Sequence, residues 1–273
     1  TVTVEGEGED GGVRVIAQSL NVTSNAIEAS ADDDNYNKSF ARGLFNVTKA
    51  TIPVDPDNVS SLIVVPEDIV YLDDEIIIVS VGVNNATGNV TIKINGTDIV
   101  LTKNITEEGS QSVTFNVSGL VVGDYNVTVD YTDDANYHDA TTSGLFNVAK
   151  APSTVEIEVE DIVYLDNETI KVTVPIINAS GTIVVNVNGS KVNETSFNGE
   201  DSPSVTVIVP GLAVGEYNVT VEYSNDVNYN DSESSALFNV AKRNITDVEG
   251  KEGMTVVPAN ITYLNNETVV VSI

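Results

Sequence analysis

The segment GLVVGDYNVTVDY (119–131) occurs a second time, slightly altered, as GLAVGEYNVTVEY (211–223). In both copies the tyrosines and valines alternate with polar residues, which is the period-two pattern of a β-strand with one buried face. The tyrosines and valines are therefore expected to point into a core, and the intervening Asn, Thr and acidic residues outward. The same strand is predicted in two places.

Two more landmarks recur in fixed order around this segment, so the chain is built from repeats. Matching positions lie about 92 to 101 residues apart, the size of an immunoglobulin-like β-sandwich and far above solenoid periods. The first landmark is DIVYLDDE (68–75), DIVYLDNET (161–169) and NITYLNNET (260–268). The second is GLFNVTKA (43–50), GLFNVAKA (144–151) and ALFNVAKR (236–243).

These landmarks predict the domain organisation. Residues 51–150 and 151–242 are each a complete immunoglobulin-like domain. Residues 1–50 are the C-terminal part of a preceding repeat, and residues 243–273 are the N-terminal part of a further one.

Local strand and turn signals agree with the repeats. Ile and Val alternate with other residues in ETIKVTVPI (168–176), and no segment shows a helical period over three turns. Asn-Gly in KINGTD (93–98) and NVNGSK (186–191) predicts hairpin turns, in which both turn positions need positive φ. We therefore predict an all-β chain of tandem immunoglobulin-like β-sandwich domains, about seven strands each, in an extended array.

The bend before the repeated strand resembles a tyrosine corner, in which a Tyr near the start of strand F returns its hydroxyl to upstream backbone. Tyr125 and Tyr217 occupy that position, each two residues after a glycine. In the partial repeat Ser24 and Ser30 stand where the two strand tyrosines would be, so that corner is either built differently or lost.

The whole pattern resembles a known class of repeat. GLAVGEYNVTVEYSNDVNYNDS (211–232) followed by ALFNVAK (236–242), and the counterparts at 119–150, resemble the Ig-like repeats of large bacterial and archaeal surface proteins. The adhesin-like proteins of methanogenic archaea are particularly similar. The resemblance covers the whole chain and implies a β-sandwich fold, an extracellular location at the cell surface, and modules that mostly act as stalks.

The charge balance is strongly acidic, with 41 Asp and Glu against 12 Lys and Arg. Nucleic acid and anionic membranes would be repelled, so neither is expected as a partner. No run of about 18 apolar residues occurs, so no membrane contact is expected within this segment. The chain has no cysteine for disulfides and opens on Thr1 without a signal-like segment, so a mature or excised piece is expected.

Acceptor triplets for N-glycosylation, Asn-x-Ser/Thr, are far more frequent than the roughly five that chance predicts. These triplets also suit strands and hairpin turns. Asn is nevertheless a poor strand former, which favours a dense glycan coat. The predicted acceptors are Asn21, Asn37, Asn46, Asn58, Asn85, Asn89, Asn95, Asn104, Asn116, Asn126, Asn167, Asn178, Asn188, Asn193, Asn218, Asn230, Asn244, Asn260 and Asn266.

The loop after the repeated strand is acidic in every copy. A sandwich places this F–G loop at the pole where the preceding domain joins, and clustered oxygen ligands there would suit Ca²⁺, the one cofactor considered. The alternative is a solvated turn, in which Tyr137 and Tyr229 pack over the end of the core, because no Ca²⁺-loop spacing is present. The candidate ligands are Asp133, Asp134, Asp139, Asp226 and Asp231.

Catalytic signatures are missing, and we expect no enzymatic activity. The only histidine is His138, in one copy of the loop, and neither a nucleophile-elbow motif nor a zinc-ligand spacing is present. Lys150 and Lys242 recur before the linkers, where a solvated charge is expected rather than a cross-linking group.

These features favour a structural function: a stalk or spacer of a glycosylated, adhesin-like cell-surface protein that extends a distal region from the cell. Its partners would be neighbouring repeats of the same chain. Two alternatives stay open. One is an adhesin module that binds a cell-surface ligand, and the other is a subunit of an extracellular filament whose copies assemble head to tail by strand complementation.

Overall fold

A computed structural model describes residues 2–7, 13–17, 20, 22–33, 36–106, 111–244, 255–257, 260–263 and 269–272. The regular elements among them are all strands, which confirms the predicted all-β fold class. In this part of the chain no helix has the length and apolar character needed to cross a membrane. The chain divides into two compact units, Thr1–Ala149 and Lys150–Ile273.

The first unit begins with two antiparallel strand pairs. β1 (Val2–Glu7) pairs with β2 (Val13–Ala17), and β3 (Ser24–Asp33) pairs with β4 (Tyr36–Asn46). The pair β3–β4 corresponds to strands F and G of the predicted partial repeat.

The rest of the first unit is a two-sheet sandwich. Its strands are β5 (Leu62–Val64), β6 (Ile69–Val70), β7 (Glu75–Val81), β8 (Asn89–Ile94), β9 (Val100–Asn104), β10 (Gln111–Val117), β11 (Gly123–Thr132) and β12 (Ala140–Ala149). One sheet has the order β10-β7-β5 and the other β6-β12-β11-β8-β9. β6 pairs in parallel with β12, so β5 and β6 are one strand that changes sheet, and seven strands result.

The second unit repeats this architecture. Its strands are β13 (Glu156–Glu158), β14 (Ile162–Val163), β15 (Glu168–Thr173), β16 (Thr182–Val187), β17 (Ser190–Ser196), β18 (Ser204–Val209), β19 (Gly215–Ser224), β20 (Ser232–Ala241), β21 (Thr255–Val257) and β22 (Val270–Ser272). The sandwich sheets are β13-β15-β18 and β14-β20-β19-β16-β17, and β21 pairs with β22.

Both cores are formed by the alternation that the sequence predicts. In β19 Val219, Val221 and Tyr223 are buried, whereas Asn218 and Glu222 are exposed. Because successive side chains of a strand point to opposite faces, one apolar set fills each sandwich. Burial of these aliphatic side chains is the main stabilising contribution.

The two Asn-Gly hairpins differ, which corrects one prediction. Asn188 and Gly189 have φ of 47° and 79°, as a two-residue turn between β16 and β17 requires. At the other hairpin only Gly96 has positive φ, at 71°. The reason is the length of the loop. Five residues separate Ile94 from Val100, so the chain can reverse direction without positive φ at both Asn95 and Gly96.

The partial repeat also differs from the complete ones, in strand register. In β4, Phe45 pairs with Asn25, whereas its counterpart Phe238 pairs with Tyr217. The corresponding partner by repeat alignment would be Ser24, so the register of β3 is shifted by one residue. A one-residue shift exchanges the faces of a strand. Here it brings the more apolar positions of β3 onto the face that carries Phe45.

Candidate functional site

The F–G loop of the first sandwich, between β11 and β12, is organised around one buried aspartate. Asp134 is 2% exposed. The N–H groups of Thr87, Asn136 and Tyr137 donate to its carboxylate at 2.7, 2.6 and 3.0 Å. The hydroxyl of Tyr131 donates to it as well. The hydroxyl of Thr87 adds a longer hydrogen bond at 3.4 Å, so both carboxylate oxygens accept more than one donor.

The second sandwich has the same network in the loop between β19 and β20. Asp226 is 2% exposed, and its carboxylate accepts the hydroxyl of Tyr223. It also accepts the N–H groups of Ser180, Asn228 and Tyr229 at 2.7, 2.8 and 3.1 Å. The Tyr-x-x-Asp spacing thus connects a core tyrosine, a loop aspartate and the backbone of two loops.

Two glycines complete the networks. The N–H groups of Gly88 and Gly181 donate to the hydroxyls of Tyr131 and Tyr223, at 3.0 and 3.2 Å. A Cβ on Gly88 would lie 2.4 Å from the carbonyl oxygen of Thr132, and one on Gly181 would lie 2.6 Å from the Tyr223 ring. Only glycine allows this close approach.

Hydrogen bonding outweighs burial at both aspartates. Burial by itself raises the pKa of a carboxyl group. The N–H of Thr87, the hydroxyl of Tyr131 and two loop N–H groups nevertheless hold the pKa of Asp134 below its usual range. The equivalent donors lower the pKa of Asp226. Burial, together with the neighbouring carboxylate, raises the pKa of Tyr131 and Tyr223, so each network holds an ionised carboxylate and a neutral phenol.

The segment that enters the first sandwich is bound to this loop. The N–H of Ala50 donates to the carbonyl oxygen of Asn136 at 2.9 Å, and the N–H of His138 donates to the carbonyl oxygen of Ala50 at 2.8 Å. The Nζ of Lys49 donates to the carbonyl oxygen of Asp134 at 2.7 Å. The entering backbone therefore adds a short parallel bridge to the F–G loop.

The second sandwich receives its entering segment in the same way. Ala151 donates its N–H to Asn228 at 2.9 Å and accepts the N–H of Asn230 at 2.8 Å. The Nζ of Lys150 donates to the carbonyl oxygen of Asp226 at 2.6 Å. The prediction that Lys150 is a solvated charge is therefore wrong, because this side chain is half-buried and satisfies a loop carbonyl.

The loop tyrosines lie over the ends of the sandwiches. The Tyr137 hydroxyl donates to the carbonyl oxygen of Asn84 at 2.8 Å, and that of Tyr229 donates to Ile177 at 3.0 Å. Tyr229 is buried and Tyr137 is half-buried. Each tyrosine connects the F–G loop to the loop before strand β8 or β16.

The tyrosines at the opposite ends of β11 and β19 have the geometry of a tyrosine corner. The hydroxyl of Tyr125 donates to the carbonyl oxygen of Val121 at 2.9 Å. That of Tyr217 donates to Ala213 at 3.0 Å. In both cases the partner lies four residues upstream, at the bend before the strand.

The five candidate calcium ligands do not converge. Asp133 accepts the side-chain amide of Asn89 at 3.0 Å, Asp231 accepts the N–H of Asn225 at 3.2 Å, and Asp139 is exposed. Across the described ranges no group of three or more acidic or histidine side chains is placed to hold a metal ion. Calcium binding stays a prediction, and the geometry gives Asp134 and Asp226 a different role.

Two buried glutamates were not predicted. The side chains of Glu75 and Glu168 are 1% exposed, at the start of β7 and β15. One carboxyl oxygen of each accepts a backbone N–H, from Glu67 at 3.0 Å and from Glu160 at 3.3 Å. Oε2 of Glu168 has no hydrogen-bond partner. Glu75 and Glu168 lie two residues before the buried Ile77 and Ile170, so the period-two alternation was the sequence signal for their burial.

Burial raises the pKa of Glu75 and Glu168, and neighbouring acidic residues add to the increase. The N–H groups that they accept, from Glu67 and Glu160, lie where the first strand of each sandwich leaves one sheet for the other. The glutamates therefore hold this crossover in place.

The predicted glycan acceptors lie at the surface wherever their side chains are described. Asn21 and Asn266 lie outside the described residues, and Asn37 lies in β4. Half-buried acceptors are Asn58, Asn89, Asn126 and Asn193. Exposed acceptors are Asn46, Asn85, Asn95, Asn104, Asn116, Asn167, Asn178, Asn188, Asn218, Asn230, Asn244 and Asn260.

The sheet orders and the sheet-changing first strand define the class: tandem β-sandwich domains of the immunoglobulin and fibronectin III type. No protein-family model and no curated protein matches the chain.

Solved structures that the chain resembles include tandem β-sandwich modules. Fibronectin(III)-like modules of Clostridium thermocellum CbhA are 15% identical, over 66% of this chain and 95% of theirs, with a TM-score of 0.27. The FN1–FN3 domains of chicken CNTN1 are 12% identical over 85% and 81%, with a TM-score of 0.28. A Ca²⁺-stabilized adhesin with which an Antarctic bacterium binds ice is 18% identical over 96% and 68%, with a TM-score of 0.32. These TM-scores are too low to carry an argument about function.

Proposed function

We propose that this chain is a structural stalk segment of a glycosylated, adhesin-like cell-surface protein. The observation that supports it most is the way each sandwich receives its entering segment. β12 ends at Ala149, and the next two residues, Lys150 and Ala151, already bond to the F–G loop of the second sandwich. Lys150 and Ala151 are thus held by the sandwich that they enter, which suits a spacer segment better than flexible linker residues would.

Surface chemistry supports the same function. The acceptor asparagines with described side chains are all exposed or half-buried, so glycans could be attached without unfolding a sandwich. The formal net charge of −29 would keep neighbouring copies apart. We also propose that the protein lies outside the cell, where N-glycosylated stalks act.

The test is electron microscopy of the protein from its own cells, together with mass spectrometry of the intact protein. A stalk predicts single rods on the cell surface and a mass that falls on chemical deglycosylation. Polymers of uniform axial repeat would favour the filament alternative. A mass equal to that of the bare chain would remove the glycan coat from the proposal.

A further inference from the structure

The outer face of the three-stranded sheet in the first sandwich carries an apolar patch. Ile76 and Ile78 on β7 are 56% and 49% exposed, and Val65, directly after β5, is 66% exposed. Exposed aliphatic side chains that lie together have a free-energy cost in water, and large patches of them mark interaction surfaces. We call these three residues the β7 patch.

A glycan acceptor faces this patch across the sheet. Asn116 on β10 is the direct antiparallel partner of Ile76, and Thr114 is the partner of Ile78. Directly opposed residues have Cβ atoms about 5 Å apart, with diagonal neighbours still within reach of a large group. A sugar attached to Asn116 would therefore start beside Ile76.

The Asn116 side chain is already oriented. Its Nδ2 donates to Oδ2 of Asp74 at 3.1 Å. N-glycosylation replaces one of the two Nδ2 hydrogens, so the remaining N–H can keep this bond. Asp74 would then hold the glycosidic linkage on the outer face of the sheet.

The second sandwich provides a comparison at the same positions. Thr169 and Lys171 replace Ile76 and Ile78, and Lys171 forms an ion pair with Glu158 at 3.0 Å. The counterpart of Asn116 is Ile208, followed by Val209 and Pro210, which is no acceptor triplet. In the second sandwich the β15 positions are therefore polar, and the place of the acceptor is taken by Ile208, which is 62% exposed.

We propose that an N-linked glycan on Asn116 covers the β7 patch, with its first pyranose ring on Ile76 and Ile78. One face of a pyranose ring consists largely of C–H groups, which can remove aliphatic surface from water while the hydroxyls stay solvated. This proposal rests on the glycosylation in the proposed function and gives one glycan a specific packing role.

The test compares Ser118→Ala with Thr128→Ala in protein from its own cells. Each change removes one acceptor triplet and keeps the asparagine: Asn116 beside the patch, or Asn126 on the outer face of the other sheet. We expect peptide mass spectrometry to find the glycan on Asn116 in the wild type. In Ser118→Ala, binding of a hydrophobic fluorescent dye should rise severalfold, whereas Thr128→Ala should change little. Adding Ile76→Thr and Ile78→Lys to Ser118→Ala should return dye binding to the wild-type level.

Four results would overturn the proposal, and the first three leave the proposed function standing. An unmodified Asn116 beside occupied acceptors elsewhere refutes the covering glycan alone. Equal dye binding by the two single variants refutes the packing role. Dimers of the glycosylated wild type that disappear with Ile76→Thr and Ile78→Lys identify a second copy as the occupant. If no acceptor is modified, the glycan coat of the proposed function fails with it.

Discussion

The first complete repeat presents Ile76 and Ile78 on the outside of its three-stranded sheet, and the second presents Thr169 and Lys171. The buried hydrogen-bond networks of the same two repeats are nearly identical. The Tyr-x-x-Asp network, the entering lysine and the buried glutamate recur with bond lengths that differ by a few tenths of an ångström. The loop networks therefore recur in both repeats, whereas the outer faces of the three-stranded sheets differ.

The loop networks give the largest expected effect. Asp134→Ala and Asp226→Ala should each lower the free energy of unfolding by about 3 kcal/mol, because several buried donors lose their acceptor at once. Asp139→Ala, at an exposed residue of the same loop, should cost less than about 0.5 kcal/mol. Calorimetry of each variant measures the change in the free energy of unfolding. A small loss in one repeat and a large loss in the other would break the equivalence of the two networks.

Acid should weaken both networks. The folded-state pKa of Asp134 and Asp226 is lowered, so their stabilisation is fully present above the unfolded pKa and is lost as pH falls through the folded pKa. Melting midpoints should decline at acidic pH in the wild type, and less steeply in Asp134→Asn. Parallel pH profiles of wild type and variant would contradict the assigned role of the carboxylate.

Substitution of the buried glutamates should change the stability of the two repeats by different amounts. Glu168→Gln should raise the free energy of unfolding at pH 7 by about 1 kcal/mol, because burial disfavours the charged carboxylate and Gln carries no charge. Glu75→Gln should gain less. The folded pKa of Glu168 is raised, so the benefit of Gln should appear as pH rises through that pKa and vanish below the unfolded value of 4.5. Thermal melts from pH 4 to pH 8 test the sign.

The tyrosine corners should give a smaller, graded effect. Tyr125→Phe should cost about 1 kcal/mol, and Tyr217→Phe less, because the Tyr217 bond is exposed to competing water. Urea unfolding of both variants measures the difference. Equal losses of unfolding free energy would show that solvent exposure does not weaken the Tyr217 hydrogen bond relative to that of Tyr125.

The outer face should give the smallest effect on stability. Ile76→Thr with Ile78→Lys, the residues of the second repeat, should change the unfolding free energy by less than about 0.5 kcal/mol in unglycosylated protein. Urea unfolding measures it. A loss above about 1 kcal/mol would mean that these side chains contribute to the core.

The strand pattern could be predicted from the sequence because inward and outward positions alternate with a period of two. The alternation in YNVTVEY (217–223) placed core and surface residues correctly. The hydrogen bonding of the F–G loop could not be predicted. Asp134 is buried and accepts several hydrogen bonds, whereas Asp133 is exposed, and the sequence shows both simply as Asp. Glu168 was missed, although the period-two alternation places it on the buried face of β15. The register of β3 depends on which face finds apolar partners, which no local signal specifies.

The proposed stalk function requires that one repeat follow the next without a flexible linker, and inserting such a linker tests it most directly. Small-angle X-ray scattering would compare the wild type with a variant that carries Gly-Ser-Gly-Ser between Ala149 and Lys150. The same insertion after Gly96, in an exposed hairpin, is the control. We predict an extended profile for the wild type and the control, and a shorter, broader distance distribution for the junction variant. A junction variant that scatters like the wild type would contradict the claim.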